Sequence, residues 1–123
     1  MPLSYVLDEH LRRGVLWRAI QQHNAAGVFP IDVVQVGDPP GLPLGSTDPY
    51  ILLWAEQEGR IIVSLDRNTM PGYLAAHLQA GHNCAGLFII NPQATIPRIV
   101  DYLVVAAYAA DPAVLQDSYE YIP

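Results

Sequence analysis

The chain of 123 residues contains no lysine, so all six of its basic side chains are arginines, set against twelve acids for a net charge of −6. On average an acidic chain repels polyanions, and a nucleic-acid role then requires metal ions, a local arginine cluster or a basic partner. The one cysteine, Cys84, excludes an internal disulfide and a cysteine-based metal motif, and reads as a buried thiol. Long apolar runs are absent too. The longest, Tyr102 to Ala110, falls well short of the ~20 residues of a membrane span. No basic stretch leads into a long apolar core near the N-terminus, so no secretory signal is expected. A soluble, cytoplasmic protein without a membrane partner is the expectation.

What is present is an apolar half of the composition, enough for the core of one domain spanning 1–123. Short apolar runs alternate with segments of helical period, the pattern of βαβ units in an α/β fold. Strands are expected at 4–7, 31–36, 61–65 and 86–90. Leu16, Ala19, Ile20 and His23 recur on one face of a first helix. The segment Gly37 to Pro43, rich in proline and glycine, reads as a surface loop. A second helix begins at Ser46-Thr47-Asp48-Pro49, where a capping side chain precedes a proline, and stops at Gly59. A third is expected over 73–80 with Gly81 as its stop, and Thr95 caps a last long helix. That helix is apolar all round, since Tyr102, Val105, Ala106 and Ala109 lie opposite Ile96, Ile99, Val100, Leu103 and Ala107. Either the tail 114–123 covers its outer face or another subunit or partner does.

Two of the apolar runs stop abruptly in carboxylates: Tyr5-Val6-Leu7 meets Asp8-Glu9, and Ile61-Ile62-Val63-Ser64-Leu65 meets Asp66. In parallel α/β sheets ligands collect beyond the carboxyl ends of strands, so Asp8 and Asp66 point toward the usual site region. Asp48, at a helix start, either caps the backbone or joins them. Hard cations such as magnesium take carboxylate oxygens and keep waters, one of which can attack a phosphodiester.

The blocks "YVLDEH" at Tyr5 to His10, "STDPYILLWAEQEGRIIVSLDRNT" at Ser46 to Thr69 and "YEYIP" at Tyr119 to Pro123 carry a resemblance to the PIN-like domains, relatives of VapC-type toxin ribonucleases. The resemblance implies a three-layer sandwich with a small, mostly parallel sheet of four to five strands flanked by helices. It also implies an Mg²⁺ or Mn²⁺ site on Asp8, Asp48 and Asp66, cleavage of single-stranded RNA, and pairing with a small antitoxin protein. Such relatives often carry another acid two residues after the Asp66 position; this chain has Asn68, which can ligate through its carbonyl but brings no charge. Glu9 is a possible compensating ligand. Arg12, Arg13 and Arg67, next to these acids in sequence, are the candidate phosphate-binding groups.

Two other functions compete. An acidic phosphorylation pocket of the receiver type generally relies on a lysine, which is missing here. An interaction module that has lost its chemistry, binding a partner or a second copy of itself through the apolar last helix, is favoured by Asn68 and the acidic balance. His10, His77 and His82 show no metal motif: the last two are five residues apart, off one helical face, with Gly81 between them.

Overall fold

Runs such as Ile61-Ile62-Val63 are apolar on both sides of the pleat, which suits strands covered from above and below. The computed structural model describes residues 2–123. Five strands, β1 (Ser4–Leu7), β2 (Asp32–Gln35), β3 (Ile61–Ser64), β4 (Leu87–Ile90) and β5 (Tyr119–Ile122), form one sheet in the order β2-β1-β3-β4-β5. Every pairing is parallel. The crossovers are α1 (Val15–Ala25), α2 (Asp48–Glu58), α3 (Met70–Gln79), α4 (Ile96–Ala109) and the single turn α5 (Pro112–Leu115). A short 3-10 turn, Glu9–Leu11, follows β1. The expected α/β class holds, with an all-parallel sheet of five strands between two helical layers.

Alternation along the strands sorts the core into two halves. Tyr5, Leu7, Ile61, Val63, Phe88 and Ile90 face α1 and α4, while Val6, Ile62, Leu87 and Ile89 face α2 and α3. The phenol of Tyr5 fixes the first half by donating to the Leu103 carbonyl at 2.6 Å. At the amino ends of the strands, Arg60 grips both carboxylate oxygens of Asp32 at 3.0 and 3.2 Å and donates to the Tyr5 carbonyl at 3.0 Å, tying β3 to β2 across β1.

From β2 onward the chain winds in one direction across the sheet, with α2 and α3 on one face and α4 on the other. The β4-to-β5 connection therefore has the opposite hand to the three before it, a rare arrangement among parallel crossovers. Packing supplies the reason. Without α4, the face of β3 and β4 carrying Ile61, Val63, Phe88 and Ile90 would lie bare beside α1.

Three expectations need revision. α3 begins at Met70, three residues early, because Pro71 fits a first helical turn and Gly72 does not break it. Thr47, one residue before Asp48, is the side chain that caps α2, accepting from Tyr50 N. The tail does not blanket the outer face of α4. It forms α5 and the edge strand β5, from which Glu120 accepts from Tyr102 and Val114 and Leu115 border a groove of about 400 Å³, over which Val105 stays 64% exposed. Among the described residues no helix is long and apolar enough to cross a membrane.

Phe88, 1% exposed, meets Tyr5 and Tyr102 at ring-centroid distances of 6.0 and 5.3 Å. Truncating it to alanine leaves a cavity between sheet and α4 and is expected to cost about 3–5 kcal/mol, read as a lower urea midpoint. A loss under about 1 kcal/mol would mean that α4 is not seated on the sheet as described.

Candidate functional site

The strand order places β2 on one side of β1 and β3 on the other, so the chain's path reverses at β1 and leaves a crevice at the carboxyl ends of β1 and β3. Asp8 follows β1 there, and its N–H donates to the Val63 carbonyl at 3.0 Å, which brings it level with Ser64 on β3. Ser64 is fully buried and ties the Asp8 carboxylate to the backbone of Asp66. Its hydroxyl donates to Asp8 Oδ2 at 3.0 Å and accepts from the Asp66 backbone N–H at 3.0 Å. Asp8 Oδ1 also accepts from Glu9 N at 2.6 Å, so a 5%-exposed carboxylate is held by two donors.

Asp66 folds over its own turn. One oxygen accepts from the Asn68 and Thr69 amides at 3.0 and 2.9 Å, and the other accepts from the Thr69 hydroxyl. These bonds, that of the Thr69 side chain foremost, hold its carboxyl below the usual range. The stability they confer is present above the ordinary carboxyl pKa and is lost as pH falls through the lowered one. Asp48 behaves oppositely. With Thr47 doing the capping, its carboxylate is partly buried, and burial followed by repulsion from Asp8 and Asp66 pushes its pKa up, against an opposing pull from His10. Ionising Asp48 therefore costs stability as pH rises past the ordinary carboxyl range. Three acids distant in sequence thus share one electrostatic field.

The remaining sequence candidates are distributed around this crevice. Glu9 accepts from Gly45 N at 2.7 Å and tethers the loop ahead of α2. The side chain of Arg12 donates to the Val36 carbonyl at 2.8 Å and pairs with Asp38 at 2.6 Å, so its guanidinium is occupied in holding the loop after β2. Arg13 and Arg67 are exposed and have no carboxylate partner among the described residues. Asn68 is also exposed, and it is its backbone that meets Asp66. Beside the acids a cleft of about 280 Å³ is lined by His10, Leu65, Ile90 and Asn91 among others.

Among the described residues, one trio of potential metal-binding side chains has its ligand atoms within 4.8 Å of one another, and it is Glu56, His77 and His82. Asp8, Asp48 and Asp66 do not form such a close group. Sequence reading passed over the histidines because five residues separate them. The chain turns back after α3 at Gly81, whose φ of 91° favours glycine, and stacks the two imidazoles at 4.8 Å. Gly81 was the signal for that reversal.

No protein-family model, no curated protein and no solved structure matches the chain.

Carboxyl-detected NMR titration tests the shared field. In Asp8→Asn the Asp48 midpoint is expected to fall toward the ordinary value, and in Thr69→Val the Asp66 midpoint is expected to rise. An Asp48 midpoint indifferent to Asp8 would separate the two sites.

Proposed function

We propose that this protein is a metal-dependent ribonuclease acting on single-stranded RNA, the toxin half of a toxin–antitoxin pair. The observation that carries the reading is the Ser64 hydroxyl set between the Asp8 carboxylate and the Asp66 backbone N–H, with Asp48 in the field of both acids. The resemblance of the three sequence blocks to PIN-like domains agrees with it.

The donor set is all oxygen, the choice of hard cations. Asp8, Asp48 and Asp66 would hold Mg²⁺ or Mn²⁺, with the Asn68 carbonyl group as an uncharged addition. Such an ion, when bound, acidifies a water and offsets charge on the phosphodiester. Burial, then repulsion from Asp8 and Asp66, pushes the Asp48 carboxyl up, and this makes it the candidate to take a proton from the attacking water. Arg13 and Arg67 reach for phosphate from the exposed rim, and the cleft beside Leu65 offers a base an apolar wall.

A second reading keeps the fold and drops the chemistry. It is favoured by the uncharged Asn68 and by the apolar groove along α4, where Val105 and Ala109 are left without cover. Under either reading the groove is the surface assigned to the antitoxin, with a second copy of the chain as the competing occupant.

Cleavage of short single-stranded RNAs separates the two. Activity is expected with Mg²⁺ or Mn²⁺, to vanish with chelator, and to fall more than about 100-fold in Asp8→Asn and Asp66→Asn. Ser64→Ala, which removes a supporting hydrogen bond, is expected to lose about 10–100-fold. Equal traces for wild type and Asp66→Asn would leave the interaction module standing.

A further inference from the structure

At the amino ends of the strands, opposite the acids, the last turns of α2 and α3 bring Glu56 and His77 together. Glu56 Oε1 lies 3.4 Å from His77 Nε2 and 3.0 Å from His82 Nδ1. Four ligands placed ~2.0–2.1 Å from a tetrahedral ion stand ~3.3 Å apart, so both separations match edges of such a site. The stacked rings, inclined by 20°, present their nitrogens to the same carboxylate oxygen.

The surroundings prepare these groups. Asn83 N donates to the other Glu56 oxygen at 2.9 Å, which orients the carboxylate. A ligating carboxylate is commonly steadied by such an outer hydrogen bond. His77 is buried, and its Nε2 donates to the Asn83 carbonyl at 2.9 Å. That carbonyl is a further oxygen close to the cluster, and ligation through Nε2 requires its proton to move to Nδ1, so that a neutral imidazole binds the ion. A cavity of about 300 Å³ bordered by Glu56, Asn83 and Cys84 opens beside the cluster.

We infer that Glu56, His77 and His82 form a zinc-class binding site that clips the end of α2 to the α3–β4 turn. Two imidazoles and one carboxylate are borderline donors, which favour Zn²⁺ and Co²⁺ over Mg²⁺. Three protein ligands leave a fourth position for water or the Asn83 carbonyl. The site shares no ligand with the Asp8, Asp48 and Asp66 crevice and stands or falls apart from it.

The test uses the chelator-stripped, full chain. One equivalent of Zn²⁺ is expected by calorimetry, with a raised thermal midpoint, and Co²⁺ is expected to give the intense visible bands of a tetrahedral site. His82→Ala and Glu56→Gln, both changes at accessible side chains, are expected to weaken Zn²⁺ more than about tenfold. Asp8→Asn and Asp66→Asn are expected to leave it unchanged. Absence of Zn²⁺ binding, or binding indifferent to His82→Ala and Glu56→Gln, shows a plain hydrogen-bonded cluster and overturns the assignment. Zn²⁺ lost in Asp8→Asn would place the ion in the crevice instead and overturn it equally.

Discussion

The side chain of Ser64 is the constraint on which the crevice depends. It sits on the last residue of β3, fully buried, and its single oxygen gives a proton to Asp8 and takes one from the Asp66 amide. That arrangement requires β1 and β3 to be neighbours in the register that sets Leu7 opposite Val63. A slip of one residue would turn Asp8 to the opposite face of the sheet and expose its core side chains. The greasy strands fix the register, and the register delivers the acids.

Two ends of one sheet thus carry different chemistry. The carboxyl ends gather oxygen donors with one carboxyl lowered by hydrogen bonds and another raised by burial and repulsion. The amino ends gather imidazole nitrogens around a single glutamate, close to the Arg60 clamp that binds β3 to β2. The two donor sets have no ligand in common, and by their chemistry the first would favour hard cations and the second borderline ones.

Much of this was legible in the sequence where local chemistry speaks alone. Aliphatic runs marked β1, β3 and β4, and Gly59, left-handed at φ 66°, marked the end of α2. Asp8 and Asp66 stood out because each closes an apolar run at a strand end, although Asp66 also has the structural use of holding its own turn. Features decided by distant partners were not legible. Nothing local assigns capping to Thr47 over Asp48, and Arg12 is tied down by Asp38, twenty-six residues away. The stacking of His77 on His82 needs the turn at Gly81, and the tail's conversion into β5 needs the open edge of β4.

Under the proposed function Asp8, Asp48 and Asp66 address a single cation. Paramagnetic broadening of amide NMR signals by substoichiometric Mn²⁺ reads this directly, since the effect falls steeply with distance from the ion. Losses are expected to centre on residues 8–9, 48 and 64–68 and to be abolished in Asp8→Asn, with signals around Glu56 and His82 preserved. Broadening spread evenly over the acidic surface, or persisting in Asp8→Asn, would contradict it.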